Sequence, residues 1–322
     1  MDEIDYPSFV GDSCGVPDRP DHGPAPQWLD VATPAGSLRA LSWGPEGAPI
    51  ALCLHGFPDT AYTWRKVAPQ LANTGWRVVA PFMRGYAPSS LPSDGSYHVG
   101  ALMDDALRVL DAAGPTGRDV LIGHDWGAIA GAGLAAMPDS PFTKAVIMSV
   151  PMAAAFRPFG RVPNAARLAA KLPRQMLHSW YLMYFQLPWL PDRSASWVVP
   201  RLWRRWSPGY CADEDLRYVD AAIGAPDRWR AALGYYRAAI RNSRPPAQYA
   251  ELHRHWLSAP RLPTLFLHGT NDGCAEDYTP WIARVLPDGS ELALVENGGH
   301  FLQLDQPDVV ARHIVDFVGQ AT

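Results

Sequence analysis

No stretch of this 322-residue chain is apolar over the thickness of a bilayer. The longest run free of Asp, Glu, Lys and Arg, Gln175 to Pro191, contains His178, Gln186 and two prolines. It falls short of the ~20 apolar residues that a membrane helix needs and reads as a buried amphipathic segment. Cysteine is scarce: Cys14, Cys53, Cys211 and Cys274 form no Cys-x-x-Cys pair and no Cys/His spacing of the zinc kind. Neither a metal module nor a disulfide framework can be read from them, and reduced thiols in a cytoplasmic setting are expected. The start, Met1-Asp-Glu-Ile-Asp5, is acidic where a secretory signal needs positive charge, and no apolar segment follows, so export is not expected. An excess of one charge is missing too. The 28 Lys and Arg stand against 32 Asp and Glu, a formal −4, with no long basic run. Binding to nucleic acid or to an anionic membrane is therefore not expected.

What is present is a core former. Hydrophobic residues make up 48% of the chain, and a chain of this length buries roughly three quarters of its unfolded surface, so it needs no staples. Proline is abundant at 32 residues, yet Gly and Pro together number 59. That is below the ~25–30% of a low-complexity chain, so the prolines punctuate structure rather than abolish it.

Residues 1–26 are rich in Pro, Asp and Gly without hydrophobic period and read as an extended arm. Strands are expected at Trp28–Thr33, Ser37–Trp43, Ile50–Leu54, Arg77–Ala80, Val120–Ile122 and Ala145–Met148, with helices at Thr60–Leu71, Val99–Ala112 and Trp126–Met137 between them. Such alternation is the pattern of a mostly parallel sheet covered by helices on both faces. Between Met152 and about Gln248 it gives way to helical stretches holding six of the thirteen tryptophans. It resumes with strands at Thr264–Leu267 and Glu291–Val295 and helices at Pro280–Val285 and Pro307–Val318. The expected organisation is an α/β core over 27–151 and 248–322, interrupted by a helical cap over 152–247.

Gly123-His-Asp125-Trp-Gly127 lies between an apolar strand and a small-residue helix. It has the frame of a nucleophile elbow, with Asp125 where Ser or Cys often stands. The pentapeptide alone leaves open whether Asp125 is a nucleophile or caps the helix that follows, as Asp does well. Two further residues bear on the choice. Asp272 follows the strand ending at Leu267, and His300 follows the strand ending at Val295, at the sheet edge where open α/β folds build their sites. The order Asp125, Asp272, His300 is the nucleophile, acid, histidine order of α/β-hydrolases, an arrangement in which Phe57 N–H and Trp126 N–H would form the oxyanion hole.

His55-Gly-Phe-Pro-Asp59, Arg84-Gly-Tyr86, the elbow, Gly269-Thr-Asn-Asp272 and Gly299-His-Phe-Leu-Gln-Leu-Asp-Gln-Pro307 together make the chain resemble the epoxide hydrolases of the α/β-hydrolase fold. The resemblance runs from Trp28 to the C-terminus, with Ala87 standing where a second glycine is usual. It implies two cap tyrosines that hold and protonate the epoxide oxygen. Ser179-Trp-Tyr181-Leu-Met-Tyr184-Phe-Gln186 maps the first to Tyr181, and Leu233-Gly-Tyr235-Tyr236-Arg237 maps the second to Tyr236, with Tyr184 and Tyr235 as alternates one register away. Phe57, Trp126, Tyr181 and Tyr236 are the expected substrate contacts. The implied reaction opens an apolar epoxide through an ester on Asp125, which water activated by His300 and Asp272 hydrolyses to a vicinal diol, with no cofactor or metal. A homodimer is compatible with this reading. The rival is a haloalkane dehalogenase using the same three residues, with Trp126 as one halide ligand; that family's second donor is commonly an Asn just after His-Gly, where this chain has Phe57, or a cap Trp, where this cap offers paired tyrosines. His253-Arg-His255 reads as structural, since i and i+2 do not share a helix face.

Overall fold

A computed structural model describes residues 25–157, 165–241 and 243–321, so all but the last two residues of the arm expected over 1–26 lie outside the described residues. Eight strands form one sheet: β1 (Gln27–Thr33), β2 (Gly36–Trp43), β3 (Ile50–Leu54), β4 (Arg77–Pro81), β5 (Val120–His124), β6 (Lys144–Met148), β7 (Thr264–Gly269) and β8 (Glu291–Val295). Their order is β1-β2-β4-β3-β5-β6-β7-β8. The hairpin β1–β2 and the pair β2–β4 are antiparallel, and every other neighbour is parallel. All five residues of both β3 and β5 are buried, as expected of central parallel strands covered on both faces, which is why they read as unbroken apolar runs.

The helices are α1 (Ala68–Ala72), α2 (Val99–Ala113), α3 (Trp126–Ala135), α4 (Ala165–His178), α5 (Trp180–Tyr184), α6 (Ala195–Trp206), α7 (Asp213–Ile223), α8 (Pro226–Ile240), α9 (Ala250–His253), α10 (Thr279–Ile282), α11 (Leu302–Asp305) and α12 (Pro307–Val318). The helix expected over Thr60–Leu71 is instead two pieces, a 3-10 turn at Ala61–Trp64 and α1. Pro69, having no N–H, is tolerated only in a first turn, so it starts a new helix rather than continuing one. The helix expected at Pro280–Val285 is the shorter α10, with Pro280 likewise in its first turn. Reduced cysteines were expected throughout; Cys53 and Cys274 are free and buried, but Cys211 is disulfide-bonded.

Helices α4 to α8 lie between β6 and β7, yet those strands pair directly, Ala145 opposite Thr264 through Met148 opposite Leu267. The helical stretch therefore leaves and re-enters the sheet at neighbouring strands. Buried bonds tie it to the loops that follow β3 and β4. Arg65 Nη1 donates to Asp215 Oδ1 of α7 at 2.6 Å, Trp203 Nε1 of α6 to the Pro58 carbonyl at 2.8 Å, and Tyr235 Oη of α8 to the Arg84 carbonyl at 2.8 Å.

Candidate active site

Asp125 sits where β5 turns into α3, at φ 50° and ψ −115°. A non-glycine residue at positive φ is strained and persists only where its surroundings over-determine it. Here the surroundings are backbone. A Cβ on Gly123 would lie 2.4 Å from the Gly127 carbonyl oxygen, and one on Gly127 would lie 2.2 Å from that of Leu54. Gly127→Ala is accordingly expected to force α3 from β3 at a cost of about 3 kcal/mol, the upper end for overpacking, lowering Tm by roughly 6 °C for a chain of this size. Calorimetry of the variant checks this, and an unchanged Tm would refute the close packing.

The side chain of Asp125 does not cap α3. Its Oδ1 accepts the Phe57 N–H at 2.7 Å, and its Oδ2 lies 3.6 Å from His300 Nε2. On the far side of the imidazole, His300 Nδ1 is 3.0 Å from Asp272 Oδ2, while Asp272 Oδ1 accepts N–H groups from Cys274 at 2.7 Å and Ala275 at 3.0 Å. Those bonds fix the carboxylate, and the carboxylate fixes the ring. The His300 carbonyl accepts from Ser149 Oγ and from His124 Nε2, and its N–H donates to the Trp206 carbonyl.

Burial works against charge on all three groups, but their mutual attraction wins. The His300 pKa is raised well above the usual histidine value, because desolvation is outweighed by Cys274 and by the carboxylates of Asp272 and Asp125. Asp125 is lowered despite burial, chiefly by His300 with help from His124 and the Phe57 N–H. Asp272 is lowered, again against burial, by His300 and His268. The resting arrangement is an imidazolium between two carboxylates. His124 itself is pushed down to about 3, first by burial and then by the charge of His300, and so stays neutral.

A cavity of about 640 Å³ opens over Asp125. Its walls are mostly apolar, with Ile129 and Trp126 on the sheet side and Leu168, Leu172 and Leu182 on the insert. Tyr181 and Tyr236 also line it, their rings 5.7 Å apart. Tyr181 Oη is 3.5 Å from Cys274 Sγ, whereas Tyr236 Oη is buried with no hydrogen-bond partner. Burial first, and then the charge of Asp125 among their neighbours, raises both phenol pKa values well above normal, so both keep their protons.

The alternates differ. Tyr235 donates to the Arg84 carbonyl, and Tyr184 packs against Trp180 and Trp197 at ring distances of 5.6 and 6.3 Å. Phe57, expected among the substrate contacts, does not line the cavity; its ring is enclosed by Phe185, Trp229 and Tyr236 at 5.6, 5.7 and 5.0 Å, and only its backbone N–H reaches Asp125. Sequence reasoning passed over two residues. Cys274 was set aside as an isolated thiol, although its place two residues after Asp272 in one tight turn could have pointed to the site. Gln175 of α4 donates to the Cys274 carbonyl at 3.0 Å and accepts from the Glu276 N–H at 2.9 Å, bracing the loop that carries Asp272. Among the described residues, the one grouping of metal-ligating donor types is Asp272, Cys274 and His300, with donor atoms within 4.8 Å of one another; two of these are already hydrogen-bonded to each other.

Comparison with known proteins identifies the fold family. The family described as alpha/beta hydrolase fold matches residues 49–307. Epoxide hydrolase A of Mycobacterium tuberculosis (strain ATCC 25618 / H37Rv) is 28% identical, over 91% of this chain and 98% of its own length. An epoxide hydrolase of Caballeronia sordidicola is 29% identical, over 90% of this chain and 92% of its own. The crystal structure of Epoxide Hydrolase A from Mycobacterium thermoresistibile is 27% identical and superposes with a TM-score of 0.66, covering 91% of this chain and 98% of that one. Since the family match runs from the edge of β3 to the start of α12, this chain belongs to the α/β-hydrolase fold family.

Proposed function

We propose that the protein is an epoxide hydrolase that converts an apolar epoxide to a vicinal diol, with residues 152–247 acting as a cap over a core formed by 27–151 and 248–322. The observation that carries the reading is the Asp125 carboxylate, which is uncapped and aimed into an apolar cavity shared with two protonated phenols. Names of relatives such as the mycobacterial Epoxide hydrolase A support the same reaction.

Oδ1 of Asp125, held by the Phe57 N–H, is the oxygen that becomes the ester carbonyl; Oδ2 attacks an oxirane carbon. The C–O bond of the ring breaks as Tyr181 and Tyr236 hydrogen-bond its oxygen, and one phenol delivers the proton, leaving a hydroxyalkyl ester. Esterification removes one of the two carboxylates that hold His300 positive. The imidazole pKa falls, the imidazolium passes its proton to the phenolate, and the neutral ring can then take a proton from water. The water oxygen attacks the ester carbonyl, and the oxyanion forms on the oxygen bound by Phe57 N–H and, in this reading, by Trp126 N–H. His300 protonates the departing alkoxide, the new Asp125 carboxyl returns its proton to the imidazole to restore the resting imidazolium, and the sum is epoxide plus water giving diol.

Dehalogenation needs two N–H donors converging on a leaving halide. Trp203 and Trp229 donate their indole N–H groups to the Pro58 and Pro191 carbonyls, the unpaired Nε1 of Trp206 belongs to a side chain that does not line the cavity, and Phe57 offers no side-chain donor. With styrene oxide and 1-bromobutane as paired substrates, we expect diol release from the first and no halide from the second. Halide release without diol would replace this reading with the dehalogenase.

A further inference from the structure

We propose that the outer face of helices α4 to α6 docks onto an anionic lipid surface, so that the cavity mouth opens toward the bilayer. Between residues 165 and 206 the chain carries seven Lys and Arg against a single carboxylate, Asp192, a local +6 in a chain that is −4 as a whole. The rest of the molecule is therefore more acidic than the average suggests. Overall charge, from which no membrane attraction is expected, conceals this segregation.

The same stretch exposes its apolar side chains. Met176, Leu177 and Met183 are 73%, 68% and 69% exposed, and Trp189 and Trp197 are 63% and 53% exposed. Those of α5 and α6 are joined by ring contacts. Trp197 touches Trp180 and Tyr184 of α5 at ring distances of 5.8 and 6.3 Å, and Arg201 lies 5.6 Å over the Trp197 ring. Arg193 Nη1 donates to the Trp189 carbonyl. Exposed Trp, Leu and Met ringed by arginine on amphipathic helices is the chemistry of a surface that lies in a headgroup layer. No described helix is long and apolar enough to cross a membrane, so the contact is peripheral.

Two observations favour lipid over a second copy of the chain. An isologous contact would press together two net-basic faces, each with seven Lys and Arg offset by Asp192 and by Glu276, which pairs with Lys171 and Arg174. In addition, Leu172 of α4 and Ile240 of α8 both line the cavity over Asp125 and are 50% and 40% exposed, so one side of the mouth's rim belongs to α4. An apolar solute dissolved in lipid would pass from bilayer to cavity without crossing water.

The test mixes the full-length protein with vesicles of phosphatidylcholine alone or with added phosphatidylglycerol. Co-sedimentation with the anionic vesicles only, with tryptophan fluorescence quenched by brominated lipid, is the expected result. Trp189→Ser/Trp197→Ser should weaken binding by at least about tenfold through lost apolar burial. Arg201→Glu/Arg204→Glu should weaken it by roughly fivefold or more per charge. Both variants should keep the wild-type circular dichroism spectrum and the wild-type turnover of a soluble epoxide in the absence of vesicles. Failure to sediment with anionic vesicles, or equal binding to neutral ones, would overturn the proposal. So would a vesicle-free dimer that dissociates in the tryptophan variant, since the face would then belong to a second copy of the chain.

Discussion

His300→Ala, mixed with excess epoxide, should gain one substrate mass on Asp125 and hold it, whereas Asp125→Ala should gain none. The first variant can still be alkylated, because Oδ2 and the cap phenols are untouched, but nothing then deprotonates water. The second has no nucleophile at all. Loss of a nucleophile that forms the covalent intermediate is expected to lower turnover by at least about 10⁴-fold. Intact-mass spectrometry of both variants makes the comparison, and rapid multiple turnover by either would remove that residue from its role. The charge arrangement adds a pH signature. His300 is raised at rest by two flanking carboxylates, and it loses one when Asp125 becomes an ester. Breakdown of the ester requires the neutral ring, so its single-turnover rate should fall as pH drops through the lowered pKa of the alkylated enzyme and level off above it. The neighbouring His124, at about 3, contributes no second step near neutrality. A rate that rises toward acid would contradict general-base catalysis by His300.

The second large effect is expected from Tyr181→Phe/Tyr236→Phe. Removing both O–H groups leaves the opening ring to expel an alkoxide into an apolar cavity, and positioned proton donors contribute typically about 10²–10⁴-fold. The fall should appear in the alkylation rate, measured by the quench of tryptophan fluorescence in a single turnover, with ester breakdown little changed. The single variants should differ in binding. Tyr236 Oη has no partner, while Tyr181 Oη must exchange its contact with Cys274 Sγ, a weak acceptor. Tyr236→Phe should therefore raise KM more than Tyr181→Phe. Equal diol formation by the double variant and wild type would return both residues to packing.

Central strands were legible because parallel strands buried on both faces must be apolar throughout, and β3 is bounded as its run of Ile50 to Leu54 predicts. The elbow was legible because its glycines answer to backbone contacts that no side chain can relieve. Its central residue was less so: Asp is both a good cap and a good nucleophile, and the pentapeptide alone carries no sign that its side chain makes no capping bond and takes the Phe57 N–H on Oδ1 instead. Helix ends near proline were misjudged where hydrophobic spacing ran on past Pro69, since periodicity carries no information about a missing N–H. The ring of Phe57 was misplaced for a related reason. A loop residue whose N–H points into a site can turn its side chain away, and that choice rests on the aromatic insert packed above it.

Tyr235 gives its hydroxyl to the Arg84 carbonyl, and Arg84 is gripped at both ends of its fork by Asp105 of α2, at 2.6 and 2.7 Å. Helix α8, which presents Tyr236 one residue later, is thereby fastened to the sheet's own scaffold. The facing wall, α4, is held by Gln175 and by Lys171 and Arg174 on a single carboxylate, Glu276, with most of its length exposed. The two walls are held with different firmness. Substitution of Leu168 or Leu172 on the looser wall is therefore expected to change which molecules the cavity accepts while leaving Tyr236 on α8 in place.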